Sequence, residues 1–240
     1  MINKICNSMA EAFAGIKDGA VVLIGGFGQV GHPFDLVDGL INTGVRDLTI
    51  VANNGAYAEV GIARLIEQRR VRKLICTYPR ASAPSFVEAY SRGEIELELV
   101  PQGTMVERMR AAGAGIPAFY SPTSVGTSLA AGKEIRTIDG RDYVLEFALK
   151  GDVALVEAWA ADRWGNLVYR GAGQNFNPVM AMAAQLTIAQ VYQIVDLGSL
   201  APNAIHTPSI FVDRVIRVSP DGESMKNYKN PAEAFAVIGG

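Results

Sequence analysis

Four glycines fall within seven residues of this chain: Gly25-Gly26-Phe27-Gly28-Gln29-Val30-Gly31, followed by His32-Pro33. They come directly after the apolar run Ala20-Val21-Val22-Leu23-Ile24. A glycine-rich turn between a strand and a helix lets backbone approach a ligand closely, and its amides and the helix N-terminus favour an anion. Gly26, Gly28 and Gly31 also satisfy the G-x-G-x-x-G spacing of a dinucleotide loop, which would make this an oxidoreductase using NAD or FAD. That reading needs an Asp or Glu at the end of the second strand, roughly 20 residues on, to hold the ribose hydroxyls. Asn53-Asn54-Gly55 stands there instead, and the nearest acid, Asp47, lies at the strand's other end. A third reading, a turn built for tight packing alone, asks for fewer glycines than are present.

Other reactive residue types point to little by themselves. Cys6 and Cys76 lie far apart with no metal-ligand spacing around them, as expected of two buried or half-buried free thiols in a reducing cytoplasm. With only His32 and His206, no His-rich metal site is expected. Glu107 sits beside Arg108 and Arg110 on a predicted helix, which reads as a solvated face, and Glu96 and Glu98 alternate along a predicted strand. Glu157, near a strand end, is less easily dismissed.

These residues need a scaffold, and its outline is legible. The chain has 240 residues, 49% of them hydrophobic and 19% charged, as expected of a folded globular protein with a substantial core. A net charge of -2 with no long basic run argues against nucleic-acid binding through a basic face. No stretch approaches 18 uninterrupted apolar residues, and Met1 to Cys6 lacks a signal-peptide core, so no membrane span and a cytoplasmic location are expected.

Ile5, Met9, Ala12, Phe13 and Ile16 recur at helical spacing and predict an opening helix that ends near Asp18-Gly19. A strand over Ala20 to Ile24 precedes the glycine loop, and a helix from Pro33 to about Thr43 follows it, closed by Gly44. Strands are predicted at Leu48 to Val51, Lys73 to Thr77 and Ile95 to Val100, with helices at Gly61 to Arg70, Pro84 to Arg92 and Gly103 to Ala112. This alternation predicts a three-layer α/β/α fold with a mainly parallel, Rossmann-like sheet. Residues 113–142 are rich in Gly, Pro, Ser and Thr and read as a long loop that carries function or packs on a partner. Strands return at Tyr143 to Phe147, Val153 to Glu157, Leu167 to Tyr169, Val191 to Val195 and Val215 to Val218, a small additional β region in the C-terminal half. A helix around Pro178 to Leu186 and a short last one over Pro231 to Ile238 complete the outline. With no clean linker and no internal repeat, residues 1–240 read as a single domain.

Several blocks together resemble one family. Asp18-Gly19 through Phe27, then Gly31 and Pro33, is similar to the signature of the alpha subunit of family I coenzyme A transferases. Val51-Ala52-Asn53-Asn54-Gly55 resembles that family's Asn-Asn segment, and Val100-Pro101-Gln102-Gly103-Thr104 with Gly113 to Phe119 resembles its block after the fourth strand. Asp162 to Leu167, Asn175-Phe176-Asn177-Pro178 and His206-Thr207-Pro208 are also typical. Cys76-Thr77-Tyr78-Pro79-Arg80 looks most like the 3-oxoadipate (beta-ketoadipate) subgroup, while acetoacetate and acetate transferases share most of the blocks.

The resemblance implies transfer of coenzyme A from succinyl-CoA to a 3-oxo acid by nucleophilic catalysis through a glutamyl-CoA thioester. In the family the attacking glutamate lies in a Glu-Asn-Gly motif of the beta subunit, and this sequence contains no such motif. It therefore implies an obligate beta partner, as heterodimer or α2β2 heterotetramer, with CoA thioester as substrate and no permanently bound cofactor. Gln102 is the implied oxyanion donor, set against a glutamine that merely caps its helix. Gly25, Gly26, Phe27, Gly28, Gln29, Val30 and Gly31 are assigned to CoA, with Phe27 against the pantetheine arm. Asn53 and Asn54 either touch substrate or simply form the turn, and Arg80 is a candidate partner for the far carboxylate of a dicarboxylic acid. His206 and Trp164 read as packing residues. A Rossmann oxidoreductase and a non-catalytic acyl-CoA-binding protein remain the contrasting classes.

Overall fold

A computed structural model describes residues 2–55, 60–79 and 84–219. Its centre is a sheet of eight strands in which seven run parallel. The first half supplies β1 (Val21–Ile24), β2 (Leu48–Asn54), β3 (Val71–Tyr78) and β4 (Glu96–Leu99). The second half supplies β8 (Gly151–Asp162), β10 (Ala184–Val195) and β11 (Arg214–Arg217), giving the order β11-β10-β8-β1-β2-β3-β4. The short β9 (Leu167–Val168) runs antiparallel to β8. From β1 the chain steps outward to β4, then returns to the other side of β1 as β8. Such a reversal opens a crevice at the carboxyl ends of the strands, here between β1 and β8.

Both faces of the sheet are buried, which is why its central strands read as unbroken apolar runs. Val22, Ile24, Ile50 and Leu155 point to one face. There they meet α1 (Met9–Ala12), α2 (Phe34–Thr43), α3 (Ile62–Glu67) and α4 (Pro84–Ser91) through Phe13, Leu36, Leu40, Leu65 and Phe86. Leu23, Val51, Ala154 and Val156 point to the other face, against Met105 and Met109 of α5 (Gln102–Gly113) and Met180 of α6 (Asn177–Ala183). Each such side chain contributes about 1.5–3 kcal/mol on leaving water. Gly44, at φ +83°, ends α2 in the left-handed conformation that side-chain-bearing residues avoid.

Several expectations are corrected. The opening helix shrinks to four residues, with Ser8 accepting the Glu11 amide as its cap. Ile5 instead pairs with Val215, because the open edge of β11 offers its backbone partners that one more helical turn would not: Cys6 N–H donates to the Val215 carbonyl and Val215 N–H to that of Lys4. The helix expected over Gly61 to Arg70 stops at Glu67, and Arg69 is left-handed at φ +53°. Residues 113–142 are no continuous loop. They contain β5 (Ala118–Ser121) and β6 (Ile135–Ile138), which flank β7 (Arg141–Phe147) in a small antiparallel sheet. The helix expected to reach Leu186 ends at Ala183, because β10 begins at Ala184 and pairs with β8 from Gly151 onward. The helix predicted over Pro231 to Ile238 lies outside the described residues.

Candidate active site

The glycine loop leaves the sheet at the crevice between β1 and β8. Gly25 N–H makes the last ladder bond, 3.0 Å to the Leu155 carbonyl oxygen. Beyond it the chain turns back on itself, with reciprocal backbone bonds between Phe27 and Val30 of 3.0 and 3.2 Å, and φ is positive at Gly26, Gly28 and Gly31. Phe27 stands at the tip, 54% exposed.

Two asparagines from the segment entering α6 hold this loop from below. Asn177, fully buried, accepts the Glu157 amide on Oδ1 at 3.0 Å and donates from Nδ2 to the carbonyls of Gly31 (2.9 Å) and Gly173 (2.8 Å). Asn175 Nδ2 donates to the carbonyls of Val30 (2.9 Å) and Ala172 (2.8 Å). These contacts leave no room for a side chain on the loop: a Cβ at Gly25 would lie 1.8 Å from Asn177 Oδ1, and one at Gly31 would lie 2.5 Å from the Gly173 carbonyl oxygen. Two of the four glycines thus serve packing against these clamps.

His32 closes the loop on its other side. Its Nδ1 lies 3.2 Å from the Gly25 carbonyl oxygen, which can only accept, so Nδ1 carries the proton. Its ring packs against Phe34 with centroids 4.4 Å apart. Burial drives the imidazole pKa down to about 4, so His32 is a neutral structural donor at pH 7.

Asn53 and Asn54, the last residues of β2, are both buried and point to opposite faces. Asn53 faces α5, where its Oδ1 accepts Gln102 Nε2–H at 2.9 Å. Thr77 Oγ1 lies 2.6 Å from the Asn53 carbonyl oxygen and 3.2 Å from its Oδ1, fixing the amide. Gln102 is the first residue of α5, and its side chain bonds Asn53 instead of capping its own helix. One Nε2 hydrogen is used there and a second remains to donate. Glycines 25, 26 and 28, His32, Asn53 and Asn54 line one small pocket of about 20 Å³. Gln102, Thr104, Phe119, Ser121, Asn175 and Phe176 line a wider cleft of about 710 Å³. The Asn53–Gln102 pair joins the two.

Four glutamates among the described residues are otherwise engaged. Glu157 is buried on the face opposite α5, where its Oε2 accepts Tyr192 O–H (2.8 Å) and Gln190 Nε2–H (3.2 Å). Glu107 borders the wide cleft but pairs with Arg110 at 2.7 Å. Lys73 joins Glu96 and Glu98 at 2.8 Å each, and Arg108 reaches Glu98 at 3.0 Å. Burial pushes the Glu98 carboxyl up, but the two cations outweigh it and hold it below its usual range. Cys6 and Cys76 are buried free thiols, and burial pushes the Cys76 thiol up to about 12. Among the described residues no group of three or more His, Cys, Asp or Glu could hold a metal, and no helix is long and apolar enough to cross a membrane. Arg80 lies outside the described residues. Trp164, expected to pack, is 41% exposed, while His206 accepts the Tyr169 amide on Nδ1 at 3.1 Å.

Sequence reasoning passes over His32, Asn175, Asn177 and Thr77 as parts of this site. Each acts on a residue distant in the chain or on backbone, and an Asn before a Pro signals only a helix start.

Comparison with known proteins places this geometry among others. The sequence pattern of the family described as Coenzyme A transferase matches residues 6–217. A Pseudomonas putida protein, named as the A chain of a 3-oxoadipate CoA-transferase, is 56% identical over 220 residues, covering 91% of this chain and 95% of that relative. A Bacillus subtilis protein, named as the corresponding chain of a probable succinyl-CoA:3-ketoacid coenzyme A transferase, is 46% identical, covering 90% of each. The crystal structure of glutaconate coenzyme A-transferase from Acidaminococcus fermentans superposes with a TM-score of 0.80 at 21% identity. That match covers 90% of this chain and 76% of the other, a likeness of fold.

Proposed function

The chain belongs to the coenzyme A transferase family, and from that premise we propose that it is the alpha-type chain of an enzyme moving CoA from succinyl-CoA to 3-oxoadipate. The observation that supports this chain's part in the reaction most is the bond between Gln102 and Asn53, which presents an amide donor at the strand ends beside the glycine loop. The partner is a beta subunit, in a heterodimer or an α2β2 heterotetramer, and it supplies the nucleophile. No Glu-Asn-Gly motif occurs in this sequence, and the glutamates described above are paired or face away from Gln102.

The partner's glutamate carboxylate attacks the succinyl-CoA carbonyl. The thiolate of CoA leaves, forming a mixed anhydride, then attacks the glutamyl carbonyl to give the enzyme thioester and free succinate. The carboxylate of 3-oxoadipate attacks that thioester, and the same two steps run in reverse. Every stage passes through a tetrahedral oxyanion, and Gln102 Nε2–H donates to it. One such donor is worth about 10²–10³ in kcat. Phe27, with Gly28 and Gln29 at the loop tip, packs on the pantetheine arm; Asn54 forms the pocket wall; Arg80 pairs with the far carboxylate of the acceptor.

Co-expression with the partner and an assay of succinyl-CoA with 3-oxoadipate tests this reading. The complex transfers CoA and the isolated chain does not. Transfer by the isolated chain would overturn the division of labour. Preference of the complex for acetoacetate would move the acceptor to the class named for the Bacillus subtilis relative.

A further inference from the structure

The glycine loop has few means of holding its own shape. Within it the backbone bonds are the Phe27–Val30 pair and His32 N–H to the Gln29 carbonyl, at 3.3 Å. Its departure also leaves a gap in the sheet, because the N–H of Glu157 on β8 would have bonded to β1 had that strand continued past Gly25. Asn177 Oδ1 fills this gap at 3.0 Å, while its Nδ2 reaches the far end of the loop at Gly31. One side chain therefore joins the strand that the loop leaves to the residue at which the loop ends. Asn175, two residues earlier, grips Val30 and also borders the wide cleft beside Gln102.

We propose that Asn175 and Asn177 are positioning residues for CoA transfer, a paired clamp that fixes the loop tip at Phe27 relative to the Asn53–Gln102 donor pair. The proposal rests on the CoA-transferase reading, since it takes the tip to be the part that meets the CoA arm. The clamp also gives Gly25 and Gly31 their chemical reason. At Gly25 the clamp excludes any larger residue, because the missing Cβ would sit on Asn177 Oδ1. The segment Asn175–Asn177 thus acts on the reaction without touching the reacting atoms. A loop tip that holds the CoA arm less firmly in ground and transition states alike raises KM with kcat unchanged.

The test uses the complex with the partner chain. Asn177→Asp keeps size but turns the donor into an acceptor facing two carbonyls, and Asn175→Ala removes a half-buried side chain at lower structural risk. Expected for Asn175→Ala is an unchanged melting temperature, normal partner binding, and a rise of about tenfold or more in KM for succinyl-CoA, with KM for the acceptor acid much less affected. Asn177→Asp shows the same pattern more strongly where it folds; Asn175→Ala decides the matter where it does not. Gly25→Ala nearly abolishes transfer in the wild-type background and is partly rescued in an Asn177→Ala background, where the colliding oxygen is gone. Unchanged KM for succinyl-CoA in Asn175→Ala overturns the proposal, as does a fall in kcat alone, which reports only fewer active complexes. A wild-type complex that transfers no CoA would instead overturn the family-level reading, and it is scored before any variant.

Discussion

Acid should destabilise this protein through one buried histidine. His32 is buried and neutral, with a pKa of about 4, against about 6.5 in an unfolded chain. Between those values the unfolded chain binds a proton that the folded chain refuses, so stability rises with pH. His32 imposes almost no penalty above about pH 6.5; as pH falls, roughly 1.4 kcal/mol is lost per pH unit until about pH 4. From pH 7 to pH 5 the difference in proton binding integrates to about 2 kcal/mol. His32→Asn isolates this contribution, since its amide can still donate to the Gly25 carbonyl but does not titrate. Urea denaturation of both proteins at pH 7 and pH 5 gives the comparison. The wild type begins ahead at pH 7, because the ring packs on Phe34, and its lead shrinks by about 2 kcal/mol at pH 5. Carboxylates common to both proteins cancel in that difference. Parallel losses in the two proteins would refute the buried, neutral state of His32.

Gln102→Ala lowers kcat about 10²–10³-fold with a small change in KM. Asn53→Ala lowers it in the same direction and less than additively with Gln102→Ala, because the two amides act as one unit. Arg80→Ala raises KM for 3-oxoadipate while sparing a monocarboxylate acceptor, as kinetics with both acids would reveal. Cys76, with its thiol pushed up to about 12, resists alkylation at pH 8 in the native protein and reacts once unfolded, which mass spectrometry of labelled peptides would record.

The strand–glycine–helix unit is legible because its signals are local: an apolar run, a cluster of glycines, Pro33 at the head of a helix and Gly44 at its end. The absence of an acid after β2 likewise reads directly from Asn53-Asn54. The cause of the glycines does not. Gly25 answers to Asn177, 152 residues further along (177 − 25), and no local pattern records such a contact. Ile5 shows a second limit: its helical spacing is real, yet backbone bonds with Val215 and Arg163 draw this segment to the sheet edge. The middle strand of the small antiparallel sheet is expected at Tyr143 to Phe147, but the two outer strands escape notice because they are short and partly exposed, so Ile135 and Ile138 lack the alternation that marks a buried face. Sequence signals start the fifth helix at Gly103, whereas Gln102 already sits in its first turn, a shift within the usual uncertainty of a helix boundary.

The central claim is that this chain holds and stabilises while its partner attacks. Incubating the two-chain complex with succinyl-CoA, quenching it, and weighing each chain intact tests that claim directly. The account predicts that the partner gains the mass of CoA less one water, as a thioester released by hydroxylamine, while this chain keeps its own mass. A hydroxylamine-sensitive CoA adduct on this chain, with the partner unmodified, would contradict it.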